Sequence, residues 1–291
     1  MATRLQSAAP ITVTKLHPLI GAELRGVDLG RDLDAATIER IRNAWHDHAV
    51  LVFRGQDISE DAQLDLASHF GPVASRVKPR AAAGHVDAPD WGKLMLITDH
   101  VDEQGNPIGA LGHGEMWFHS DKCYHERPHR ASFLYGVEIP TEGGNTKFSS
   151  LYAAYDKMPE ALKRRFADAM VMQGHQYGGL RPKVDESGLD GIHHFRQPMI
   201  VTNPGSGRKA LYVSRLNTLW IEGIDRAESD AILESLFQIT EDPANMYEHV
   251  WRKGDLLMWD NLACLHARTD WPQEQRRLLR RCTTEGERLW Q

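Results

Sequence analysis

His119 and Asp121 stand one residue apart in the stretch MWFHSDKCYH, residues 116–125. On an extended strand alternate side chains share a face, so this imidazole and carboxylate point the same way. Such a pair suits a metal ion, and it equally suits a surface hydrogen bond; the tripeptide does not choose between them. A third donor sharpens the reading. His266 lies in DLLMWDNLACLHARTDW (255–271), after an apolar strand and a turn at Asp260-Asn261. If that strand returns beside the first, two histidines and one carboxylate gather at one point. That set holds Fe(II) on one face and leaves other positions open for substrate and oxygen. Zinc accepts the same donors.

Two further stretches bear on anion binding. In RRLLRRCTT (276–284) alternation puts Arg277, Leu279 and Arg281 on one side, and Arg276, Leu278 and Arg280 on the other. One side must face inward in a β barrel, where a guanidinium is costly without an anionic partner. Two inward arginines suggest small anionic molecules, because the guanidinium fork matches a carboxylate bidentately; a surface strand with solvated arginines is the competing reading. In EGGNTKF (142–148) two glycines make a sharp turn before Thr146, whose hydroxyl is placed to donate to the same carboxylate.

The elements that must position these residues are mostly strands. AVLVFRG (49–55), ASFLYGVEIP (131–140), ALYVS (210–214), DLLMWD (255–260) and RRLLRRCTT (276–284) are short, apolar and bounded by turn residues. Helical spacing marks 34–50, with an Asp at its start, and 59–71, with Ser59 as N-cap. It also marks 149–170, read as two helices with Pro159 in the first turn of the second, and 225–240. The class is mainly β with flanking helices. One domain over residues 1–291 is expected, since no linker divides the core strands. Residues 1–14 read as flexible, and 72–115 and 176–197 as loop or lid insertions. A net charge of −6 and a pI near 6.2 argue against a nucleic-acid partner, and no apolar run is long enough to span a membrane. Three cysteines, Cys123, Cys264 and Cys282, form no framework and fit a reducing cytoplasm.

WFHSDKCY, GGNTKFSSLYAAYD, NPGSGRKALYV, GDLLMWDNLACLHAR and RRLLRRCTT occur here in the order found in the taurine dioxygenase / 2,4-dichlorophenoxyacetate dioxygenase family. VLVFRGQDIS and SHFGPV resemble it too, so the resemblance spans residues 17 to 285. It implies a double-stranded β-helix, the cupin-like jelly roll, and an Fe(II)- and 2-oxoglutarate-dependent dioxygenase. By resemblance His119, Asp121 and His266 are the iron ligands. Thr146 and Arg277 bind the distal carboxylate of 2-oxoglutarate, with Arg281 near the anionic end of substrate or co-substrate. O2 and 2-oxoglutarate become succinate and CO2, and a small, anionic substrate is hydroxylated, with C–O, C–N or C–S cleavage where the hydroxyl lands beside a heteroatom. Homo-oligomers, dimers or tetramers, are common among relatives.

The resemblance departs from the taurine enzyme at the substrate side. Glu115 and Arg76 stand where that enzyme has an asparagine and a histidine, so an acidic substrate could instead meet Arg76, Lys78 and Arg80. Tyr124 is the aromatic candidate for substrate contact, whereas Trp117, Phe118 and Trp259 read as core. Asn261 shapes the turn before His266 and orients the site through a hydrogen bond. His113, His125 and the His193-His194 pair are decoys among 15 histidines. Two other classes compete: a non-catalytic metal-binding β-barrel sensor, and a zinc hydrolase.

Overall fold

A computed structural model describes residues 10–75, 92–112, 114–176, 184 and 188–290. Its core is two facing sheets. The larger has seven strands, in the order Thr12–Lys15, Ala22–Arg25, Val50–Phe53, Leu256–Asp260, His129–Glu138, Leu278–Glu285, Met95–Ile97. All its pairings are antiparallel except that of Ala22–Arg25 with Val50–Phe53. The smaller has four, in the order Met246–His249, Thr146–Ser150, Cys264–Arg268, Met116–His119. This is the jelly roll.

The central strands VLVF and LLMW are apolar at every position because the larger sheet is covered on both faces. Val50, Val52, Leu257 and Trp259 pack inward with Phe148 and Leu265 of the smaller sheet. Leu51, Phe53, Leu256 and Met258 pack outward against Ile38, Ile41 and Trp45 of helix Ala35–His48 and Leu66 of helix Glu60–Ser68. Each such side chain contributes about 1.5–3 kcal/mol by leaving water. Both helices start where the sequence places them: Asp34 accepts from Thr37 N and Ser59 from Ala62 N. Helix Arg226–Thr240 starts at Asp225 in the same way and packs Leu233, Leu236 and Phe237 against Val171 and Leu211.

Several boundaries differ from the sequence reading. Thr12–Lys15, which begins inside the stretch 1–14 expected to be flexible, is a strand paired with Ala22–Arg25; its Thr-Val-Thr alternation is a strand pattern. The insertion 72–115 contains strand Met95–Ile97, which edges the larger sheet, and 176–197 contains most of strand His193–Pro198, paired with Met170–His175. The segment 149–170 begins in strand Thr146–Ser150 and ends in strand Met170–His175. Its helices are Leu151–Lys157 and Glu160–Arg165, and Pro159 is the N-cap rather than a first-turn residue. No helix of the described residues is long and apolar enough to cross a membrane.

Candidate metal centre and its surroundings

Strands Met116–His119 and Cys264–Arg268 are neighbours in the smaller sheet, and the register sets His119 directly opposite His266. Their ring centroids are 4.1 Å apart. Asp121 follows in the next turn, with its Oδ1 3.9 Å from His119 Nε2 and 3.8 Å from His266 Nε2. One donor atom of each residue lies within 4.8 Å of the others, the only such group of three among the described residues. An ion about 2 Å from each donor bridges this spacing with a small inward movement. His119 Nδ1 is 2.7 Å from Trp117 O; a proton held there leaves the Nε2 lone pair facing the gap. Burial pushes both imidazoles below their ordinary range, so they are neutral, as ligation needs. His266 also meets Trp259 in a tilted ring contact, with centroids 4.8 Å apart, at the inner face of the larger sheet.

Asp121 is fixed from behind. Ser132 donates to its Oδ2 at 2.5 Å, and Arg281 Nη2 forms an ion pair with the same oxygen. Burial alone would raise this carboxyl; the Arg281 guanidinium outweighs it and holds the group well below the usual carboxylate range. Oδ1 is thereby the oxygen left to face a metal. Asn261 Nδ2 donates to Ser132 Oγ at 2.9 Å, while its Oδ1 accepts from Trp259 Nε1 at 3.1 Å and Asp121 N at 3.4 Å. Asn261 thus reaches the site through Ser132, a residue the sequence reading missed. Its signal was a small hydroxyl in the apolar strand His129–Glu138, in register with Trp259.

Arg277, just before strand Leu278–Glu285, has different partners from Arg281. It is 1% exposed, its Nε donates to Gly144 O at 3.2 Å, and its Nη1 has no hydrogen-bond partner. Burial, then the nearby Arg268, pushes its pKa down to about 9. A buried guanidinium with an unspent N–H is a receptor for an anion. The Gly143-Gly144 turn makes room for it: both have positive φ, +70° and +62°, and a Cβ on Gly144 would sit 2.8 Å from Arg277 Nε. The turn leads into Thr146, buried, whose Oγ1 accepts from Trp251 Nε1 at 3.0 Å. Arg281, expected near the anionic end of substrate or co-substrate, forms an ion pair with Asp121.

Of the substrate-side candidates, Tyr124 stacks on His175, with centroids 4.7 Å apart, one turn past Asp121. Glu115 is exposed at the entry to strand Met116–His119. Arg76, Lys78 and Arg80, and the decoy His113, lie outside the described residues. Trp259 is core as expected, but Trp117 is 37% exposed. Arg268, also missed, donates from Nη2 to Gly112 O and Gly114 O, each at 2.6 Å, and from Nη1 to Leu111 O. It ties the loop before His119 to the strand of His266. Arg268 and Arg277 both lie over Trp271, at 5.0 and 5.1 Å.

A jelly roll with two neutral histidines and one carboxylate converging on a single point belongs to the class of mononuclear metal oxygenases. The particular family follows from comparison: the model of the taurine catabolism dioxygenase TauD, TfdA family matches residues 12–283, and the chain belongs to that family. Pentalenolactone F synthase of Streptomyces avermitilis is 34% identical, with 91% of this chain and 90% of that protein covered. The alpha-ketoglutarate-dependent 2,4-dichlorophenoxyacetate dioxygenase of a Burkholderia species is 30% identical, with 94% of each covered. Among solved structures, AAD-2 in complex with Mn(II) and N-oxalylglycine superposes with a TM-score of 0.78 at 25% identity, covering 97% of this chain and 100% of that one. The protein is an Fe(II)- and 2-oxoglutarate-dependent dioxygenase acting on a small organic substrate.

Proposed function

We propose that His119, Asp121 and His266 hold the iron, that Thr146 and Arg277 receive the distal carboxylate of 2-oxoglutarate, and that the substrate is a small organic anion. The observation that carries this is Arg277: fully buried, positively charged, with an N–H left over beside a glycine turn that leaves it space. Neither a metal-binding sensor nor a zinc hydrolase has a use for that receptor. Iron bound at the three donors supplies oxygen activation, with 2-oxoglutarate becoming succinate and CO2 and the substrate gaining a hydroxyl.

The chain's own residues do the positioning. Ser132 and Arg281 occupy Asp121 Oδ2 and hold Oδ1 toward the metal. Trp259 and Phe148 wall the His266 ring and keep water from that side. Arg277 sets the direction from which the co-substrate chain enters. The anionic substrate class is supported by relatives named for 2,4-dichlorophenoxyacetate and for a sulfate ester. Were this chain's substrate an ether or a sulfate ester, a hydroxyl placed on the carbon next to oxygen would give a product that collapses with C–O cleavage. Three free cysteines, none paired, suit a reducing cytoplasm.

The test is anaerobic titration of the protein with Fe(II) and 2-oxoglutarate, followed in the visible range for the iron-to-keto-acid charge-transfer band. A saturable band that is lost in His266→Ala supports the assignment. Bound iron with no band overturns it.

A further inference from the structure

Thr146 differs from the other hydroxyls of its strand in where its proton goes. A threonine Oγ1 has one proton to give and two lone pairs to receive with. On the same strand Ser149 Oγ gives its proton to Thr240 O at 2.5 Å, and Ser150 Oγ accepts from Ala153 N at 3.2 Å. Thr146 Oγ1 accepts from Trp251 Nε1 at 3.0 Å, and among the described residues no acceptor takes its proton. An indole N–H only donates, so the direction of this bond cannot reverse. It occupies a lone pair of Thr146 and leaves the hydroxyl to act as a donor.

A buried indole can satisfy its N–H more simply. Trp271 does so on a backbone carbonyl, Gln275 O, at 3.1 Å. Trp251 is instead held on the threonine by its surroundings. It follows strand Met246–His249, in which His249 is the register partner of Thr146. Its ring meets His249 edge-on, with centroids 4.8 Å apart and an interplanar angle of 84°. His249 is fully buried and fixed at both nitrogens: Nδ1 lies 3.0 Å from Tyr247 Oη and Nε2 3.1 Å from Asp255 Oδ2. That carboxylate oxygen also accepts from Arg54 Nη1 at 2.5 Å and from Arg252 N at 2.8 Å. Gly136, inside strand His129–Glu138, clears the remaining space, since a Cβ there would sit 3.2 Å from Trp251 Cε3. A network from Arg54 through Asp255 and His249 thus ends on one indole, and the indole ends on one hydroxyl.

We propose that Trp251 is a positioning residue of the co-substrate site. Its N–H fixes Thr146 as a donor, and the site thereby favours a 2-oxo acid with a carboxylate at its far end over one that ends in an apolar group. This rests on the assignment of Thr146 and Arg277 to the distal carboxylate. Arg277 supplies the charge, and Thr146 adds one hydrogen bond whose direction Trp251 sets. A hydroxyl held as donor rewards an acceptor at the chain end, and a methyl group offers none.

The experiment titrates the Fe(II)-loaded, oxygen-free enzyme with 2-oxoglutarate and with 2-oxovalerate, which has the same chain length and a methyl group in place of the distal carboxylate. The charge-transfer band gives Kd for each. Trp251→Phe keeps a ring and loses the N–H. It should raise Kd for 2-oxoglutarate roughly three- to tenfold and leave Kd for 2-oxovalerate at the parent value. Thr146→Val should raise Kd for 2-oxoglutarate roughly tenfold in the parent but only about twofold or less in the Trp251→Phe background, because the two residues act as one. Trp251→Met, which also lacks the N–H, gives the same pattern, and melting curves establish that the variants fold. Packing damage alone would weaken both 2-oxo acids alike. The proposal is overturned if Trp251→Phe keeps the parent Kd for 2-oxoglutarate, if it weakens 2-oxovalerate equally, or if the Trp251 and Thr146 effects multiply in full. A parent-like Kd in Thr146→Val, or no band in the parent enzyme, overturns it one step earlier, at the assignment of the co-substrate site itself.

Discussion

Replacing Arg277 with methionine should make the protein more stable and its co-substrate site worse. Methionine keeps an unbranched chain of similar length and removes a charge that is buried without an anion. With 1% exposure, solvent screens it little. Its pKa of about 9, against the ordinary arginine range, corresponds to about 4–5 kcal/mol of penalty on the charged form. Against this, the variant loses the hydrogen bond to Gly144 O, worth about 1–1.5 kcal/mol, and the contact with Trp271, worth about 0.5–2 kcal/mol. The balance favours the variant by roughly 1–3 kcal/mol in the absence of ligand, in line with replacements of buried charges by apolar groups. For a chain of this size that is a rise of several degrees in Tm.

The affinity for 2-oxoglutarate should fall roughly hundredfold or more, since a buried partner of the distal carboxylate is gone. The assays are melting curves without ligand and titration of the charge-transfer band. Arg277 is protonated in both states below about pH 9, so the wild type carries the full penalty there. Arginine keeps its proton at higher pH too, so the gap to the variant should not narrow through Arg277 itself. A variant that melts lower than the parent without ligand, or that titrates with 2-oxoglutarate normally, would refute the reasoning.

Ser132→Ala removes a donor from Asp121 Oδ2 and strands Asn261 Nδ2, so the Kd for Mn(II) should rise roughly 10–100-fold by equilibrium dialysis. An unchanged Kd would show that Arg281 alone fixes the carboxylate. Gly144→Ala puts a Cβ 2.8 Å from Arg277 Nε at φ +62°, and should cost about 1–3 kcal/mol in stability while raising the KM for 2-oxoglutarate; a normal KM would place the receptor elsewhere. Arg268→Met leaves the carbonyls of Leu111, Gly112 and Gly114 without their donor, so amide exchange across 108–112 should accelerate. Protection equal to the parent would mean that the loop is held by other contacts, such as Asp270 to Gly114 N.

The donors were legible because their chemistry is written in residue type and spacing. His119-x-Asp121 and the apolar strand before His266 each state a local geometry, and the larger sheet's VLVF and LLMW state burial on both faces. Arg277 was legible as an inward arginine. Its separation from Arg281 was not, because alternation puts the two on one side without saying which anion each meets, and Asp121 sits next to only one of them. Ser132 escaped because a serine in a strand is ordinary until its cross-strand neighbour is known. Arg268 escaped because its partners are backbone carbonyls, which leave no trace in the sequence. Short strands such as Met95–Ile97 were hidden inside loops because three residues are too few to show a period.

The pairing of His119 with His266 across two strands has a consequence for how the protein comes to possess its metal. The two residues are 147 positions apart (266 less 119). In the unfolded chain only the local His119–Asp121 pair exists, so a metal has little hold there. The third donor arrives only when a loop of that length has closed and the four-stranded sheet has found its register. A slip of one residue in either strand turns an imidazole to the opposite face and leaves no site at all. Metal uptake is therefore a checkpoint on folding: the ion stabilises the finished chain by mass action and offers nothing to a chain that has paired its strands wrongly.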